Sequence, residues 1–153
     1  MSIDSRLAEL GITLPEPLAP VAAYVPVVEA GGMAYVSGQI SIADGQLIKG
    51  RLGEDVSLEA GVDAARACGL MILAQLKAAL GSLDRVERVV KLGAFVNSTP
   101  DFTDQPKVAN GASELMALVF GDAGKHARSA VGVPTLPLGV AVEVDAIVAV
   151  RKP

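Results

Sequence analysis

One stretch constrains this chain more than any other: SLEAGVDAARACGLMILAQLKAALG, residues 57–81. Leu58, Val62, Ala65, Gly69, Ile72, Leu76 and Leu80 recur at helical spacing, so they share one face of a long helix. Ser57 is placed to cap its start, Glu59 suits the positive end of the helix dipole, and Gly81 is a stop residue. The small residues on that face are expected to let a sheet come close. Gln75 and Lys77 interrupt the apolar run, so it does not read as a membrane span.

The flanking segments supply the rest of a layered domain. Residues 5–12 suit a short helix, stopped by LPEPLAP, whose prolines favour an extended path over the surface. YVPVVEAGGMAYVSGQISIADGQLIKG alternates like strands, with Gly31-Gly32 and Asp44-Gly45 as turns. VERVVKLGAFV reads as a further strand. PKVANGASELMALVFG reads as a second long helix, opened by Pro106 and closed by Gly121. Residues 128–133 and 140–150 complete the strands. No repeat or linker divides the chain, so residues 1–153 form one α+β domain, with residues 1–20 as an N-terminal extension. Both long helices are expected on one face of the sheet. Too little chain remains to cover the other face, which predicts a subunit interface.

Composition narrows the function. Hydrophobic residues make up 51% and charged residues 20% of the 153, the balance of a globular domain. Aromatics are 3% with no Trp, so there is no platform for stacking bases. The net charge is -4, the pI is about 4.9, and no basic run appears, which argues against nucleic acid as a partner. The single Cys68 lies among apolar helix residues and is expected to be buried and inert. No metal-ligand constellation is visible. The N-terminus carries acids and lacks the apolar core of a signal peptide, so a cytoplasmic protein is the expectation.

The segment HARSAVGVPTLPLGVAVEVDAIVAV, residues 126–150, holds the charges that need explaining. If its two strands close as a hairpin at Val133 and Val140, Ala130 faces Glu143 and Arg128 faces Asp145. Those four residues then form one patch. One reading is a solvated cross-strand ion pair, worth roughly 0 to 1 kcal/mol. The other is a site in which the Arg128 fork grips a ligand carboxylate while an acid moves protons. Spacing alone leaves both open. His126, the only histidine, sits in GDAGKHA and reads as a solvated loop residue; a place near the patch is open to it, but it has no catalytic partner of its own type. Ser37 lacks an adjacent His and the flanks of a nucleophile elbow, and GGMAYVSG lacks the Gly-Lys-Ser/Thr ending of a phosphate loop.

YVSGQI after AAYVPVV, VANGASELMALVF and above all ARSAVGVPTLPLGVAVEVDAIV resemble the RidA/YjgF family of imine deaminases, formerly called endoribonuclease L-PSP. The resemblance runs from about Tyr24 to Val150. It implies a chorismate-mutase-like subunit, a mixed sheet with two helices on one face, and a homotrimer with a central barrel and clefts between subunits. It implies hydrolysis of 2-imino acids to 2-keto acids and ammonia with no cofactor, and the residues themselves point to no metal and no membrane. The alternative is a non-catalytic module, a sensor or carrier, that binds small carboxylates in the same cleft. By this resemblance Arg128 holds the substrate carboxylate and Glu143 stands beside the attacking water. Tyr24, Ser37, Gly38 and Asn110 line the cleft. Ala130 stands where the family often has Cys. The N-terminal extension and the NSTPDFTDQPK connection resemble a longer branch of the family.

Overall fold

The 57–81 segment is the helix that its spacing predicts. In the computed structural model, which describes residues 1–20 and 22–153, helix α2 runs over Leu58–Leu80. The Ser57 hydroxyl accepts from the Ala60 N–H at 3.1 Å, and Gly81 closes the helix at φ 82°. The second long helix, α3, spans Gln105–Phe120, and a short helix, α1, spans Ile3–Glu9. Helix α1 starts and ends earlier than the predicted 5–12, because the Ser2 hydroxyl caps it by accepting from the Ser5 N–H. Lys77 pairs with Asp4 at 3.0 Å, and Arg6 donates to the Leu118 carbonyl at 3.0 Å, so α1 is tied to both long helices.

Strands β1 (Val27–Ala30) and β2 (Met33–Ile40) form a hairpin across the Gly31-Gly32 turn. Strands β3 (Ile42–Ala43) and β4 (Gln46–Leu47) form a second, small one around Asp44-Gly45, both at positive φ. Strands β5 (Val86–Asn97), β6 (Ala127–Val133) and β7 (Val142–Val150) follow. The main sheet has the order β1-β2-β7-β5-β6, antiparallel except for the β5–β6 pair.

That order corrects the expected hairpin. Strand β6 pairs in parallel with β5, through the α3 crossover, and β7 lies between β2 and β5. The 134–139 connection therefore carries the chain past β5 instead of folding it back tightly. Its two prolines, with Leu138 and Gly139 at positive φ, suit that wide turn. Arg128 aligns with Leu92 and Ala130 with Ala94, whereas Glu143 aligns with Phe95 and Asp145 with Gly93. Adjacent residues of a strand point to opposite faces, so Arg128 and Ala130 lie on one face and Glu143 and Asp145 on the other. The four do not form one patch.

The core lies on the helix side. Val142, Val144, Ala146 and Val148 of β7, with Leu92, Ala94 and Val96 of β5, are buried against α2 and α3. Small residues serve a different contact from the one expected. A side chain on Gly69 would press on Leu115 of α3, and one on Gly111 would strike the Val62 carbonyl of α2. Their absence brings the two helices together, while Cys68, on the same helix, reaches the sheet and donates to the Val142 carbonyl. Among the described residues no layer covers the opposite sheet face: Tyr35 and Val131 are 45% and 46% exposed.

Candidate functional site

The residues singled out from the sequence gather into two clusters, one at each face of the sheet. The first is built around Arg128. Helix α3 turns its apolar side to α2 and the sheet, which leaves Asn110 and Ser113, three residues apart, on the flank that meets edge strand β6. Arg128 Nη1 donates to Asn110 Oδ1 at 2.8 Å and to Ser113 Oγ at 3.1 Å. Both Nη1 protons are thereby used. Among the described residues, the side-on edge formed by Nε and Nη2 has no protein partner, and that edge matches the two oxygens of a carboxylate. Arg128 makes no ion pair with Asp145, so the cross-strand ion-pair reading fails. Ala130 stays on this face, half-buried against the core.

His126 belongs to this cluster, against the expectation of a solvated loop residue. Its Nε2 lies 2.8 Å from Ser113 Oγ and its Nδ1 lies 2.7 Å from the Gly124 carbonyl. Ser113 was not singled out from the sequence. The available signal was a pair of polar residues at helical spacing, Asn110 and Ser113, amid the apolar residues of α3.

The second cluster contains Tyr24, Ser37, Gly38 and Glu143, which line a cavity of about 640 Å³. Three residue steps of β2, from Val36 to Gln39, oppose two of β7, which makes a bulge at Ser37-Gly38. Glu143 folds its carboxylate over Gly38, into the space that a side chain there would fill. Tyr24, half-exposed, precedes β1, and the Ser37 hydroxyl donates to the Val25 carbonyl at 3.0 Å. Burial raises the proton affinity of Glu143 above that of an ordinary carboxylate, and the charge of Asp145 adds to it. Burial also raises that of Asp145, offset by a hydrogen bond to the Gly93 backbone and by Lys91.

Leu18, Pro20, Ile42, Leu47 and Leu138 give this cavity apolar walls. Buried Gln75, the polar break in the α2 pattern, donates to the Leu18 carbonyl at 2.7 Å and so holds the N-terminal extension against the cavity. Cys68 is fully buried, and burial pushes its thiol well above the ordinary range, so it carries no chemistry in the folded chain. No helix among the described residues is long and apolar enough to cross a membrane.

Relatives share this architecture. Protein TCP17 of Trypanosoma cruzi is 53% identical over 148 residues, covering 95% of this chain and 92% of that one. The crystal structure of a protein of unknown function from Agrobacterium tumefaciens superposes with a TM-score of 0.90 at 47% identity, covering 97% of this chain and 92% of the other. Escherichia coli TdcF, solved with bound serine, superposes with a TM-score of 0.62 at 25% identity, covering 90% of this chain and 94% of its own. Residues 4–148 match the family model described as "YjgF/chorismate_mutase-like, putative endoribonuclease". With the mixed sheet, the two long helices on one face and nearly its whole length matched, the chain belongs to the YjgF/chorismate-mutase-like family.

Proposed function

We propose that the protein hydrolyses 2-imino acids to 2-keto acids and ammonia in clefts completed by a second copy of the chain. The observation that carries this reading is Arg128, anchored through Nη1 alone, with its two-pronged edge unused. Such an edge suits a carboxylate. The bound serine of TdcF is a small molecule with the same group.

Arg128 and Glu143 point from opposite faces of the sheet, so a single chain does not bring both to one small ligand. A neighbouring copy does so when its Arg128 edge meets the open, partly apolar face that carries Glu143. A homotrimer with three such clefts satisfies this arrangement and covers Tyr35 and Val131 as well.

The chemistry asks little of the protein. An imine carbon is already electrophilic, so orientation and one proton carrier are enough. Arg128 holds the carboxylate, Glu143 accepts a proton from water, and the hydroxyl adds to the imine carbon. That proton passes to the nitrogen to give a carbinolamine. Glu143 then takes the hydroxyl proton and hands it to the same nitrogen. The carbon–oxygen double bond forms as the carbon–nitrogen bond breaks, and ammonia leaves a 2-keto acid. A carboxylate with raised proton affinity suits both halves of that transfer.

Subunit mixing tests the reading. Arg128→Ala and Glu143→Gln variants, each inactive alone, should regain roughly a quarter of wild-type ammonia release after co-refolding, because random mixing rebuilds that share of clefts. The imine is generated in situ by an amino-acid oxidase. No recovery from mixed oligomers would refute a shared site. Keto-acid binding without rate enhancement in the wild type would favour the binding module.

A further inference from the structure

We infer that His126 is a positioning residue for Arg128, acting through Ser113. This rests on the proposal that Arg128 grips the ligand carboxylate, and adds to it the device that aims the guanidinium.

With His126 as the neutral imidazole, the two ends of the chain of contacts fix the direction of each hydrogen bond in it. The Gly124 carbonyl only accepts, so His126 Nδ1 carries the proton that reaches it at 2.7 Å. The guanidinium only donates, so Ser113 Oγ accepts from Arg128 Nη1 at 3.1 Å. The remaining contact, 2.8 Å between Ser113 Oγ and His126 Nε2, is then a serine hydroxyl donating to an imidazole nitrogen. With its proton drawn toward His126, the hydroxyl oxygen turns a lone pair to Arg128. Without His126 the hydroxyl rotates freely, and that lone pair is no longer held on Nη1.

The far end of the relay is rigid. Gly124 is buried, and a side chain on it would strike the Met116 carbonyl, so the turn is pressed against the last stretch of α3. Arg88 donates to the Lys125 carbonyl and ties the same turn to β5. The imidazole thus hangs from a fixed carbonyl and passes that fixity through Ser113 to the cation. His126 touches no proposed reacting atom.

The test is 2-oxobutanoate binding by titration calorimetry on the full-length protein, with ammonia release in parallel. Ser113→Ala and His126→Leu should each weaken binding about 3- to 10-fold, the worth of one ordinary hydrogen bond. The double variant should be no weaker than Ser113→Ala alone, because both act on one path. His126→Gln, which keeps an acceptor for the hydroxyl, should recover most of the loss. KM should rise with kcat little changed. Independently of any ligand, the Arg128 Nη1 and Nη2 nitrogen resonances should be resolved in the wild type and exchange faster in His126→Leu, where Asn110 alone still fixes Nη1.

Unchanged binding and unchanged Arg128 resonances in His126→Leu would overturn the inference, as would losses that multiply in the double variant. Arg128→Ala separates the two levels. If it abolishes binding while His126→Leu does nothing, only the relay fails. If Arg128→Ala binds as well as the wild type, the carboxylate assignment itself fails, and the resonances alone then decide whether His126 holds Arg128.

Discussion

The two clusters treat charge in opposite ways. On the helix side a cation is anchored by neutral partners, Asn110 and Ser113, which leave its charge uncompensated and its direction set. On the open face Glu143 is half-buried beside another acid, with Gly38 giving it room. One arrangement pre-organises a charge for an anion, and the other raises an acid's hold on its proton. Had Arg128 faced Asp145 across a hairpin, each would have neutralised the other and neither would be poised for a ligand. Separation onto two faces keeps both available, and in the proposed function it is a second copy of the chain that brings them together.

The largest test of this contrast is Arg128→Ala. Losing two charge-assisted hydrogen bonds should cut imine hydrolysis about a hundred- to ten-thousand-fold. The melting temperature should stay close to wild type, since the side chain lies at an edge strand. Full activity would break the comparison at its cationic end.

Gly38→Ala should come next, costing about ten- to a hundred-fold in rate by pushing the Glu143 carboxylate from its place. Keto-acid binding at the arginine should change much less. Equal losses of binding and rate would show that the two clusters do not divide the work as argued.

The smallest effect is thermodynamic. Glu143 and Asp145 hold protons more tightly folded than unfolded. Between their ordinary and raised values the folded chain binds more protons than the unfolded one, so stability falls as pH rises through that window. Glu143→Gln removes part of this penalty. It should raise the melting temperature by a few degrees at most at neutral pH, with no gain below the ordinary carboxylate range; solvent screening keeps the effect small. A gain that is the same at both pH values would show that burial of charge is not its cause.

Much of the molecule was legible in advance where the signal was local. The Ser57 cap, the Gly81 stop and the glycine turns at 31–32 and 44–45 all stand where residue chemistry puts them. Tyr24, Ser37, Gly38 and Glu143, singled out through the resemblance, border one cavity, and Asn110 meets Arg128. The pairing of 128–133 with 140–150 did not hold, because nearness in sequence favours a hairpin while the α3 crossover carries β6 to the edge beside β5. The contact of His126 was hidden for a similar reason: its partner, Ser113, lies a helix away.

By itself the amino-acid order determined the elements, their ends and the residue types able to bind an anion or carry a proton. Those follow from short-range torsions, caps and periodicity, which every few residues express on their own. Only the tertiary structure decided which strand lies beside which, that Arg128 and Glu143 face away from each other, and that Ser113 touches both His126 and Arg128. Strand order and facing depend on packing between segments far apart in the chain, and one change of neighbour moves a side chain from one side of the sheet to the other.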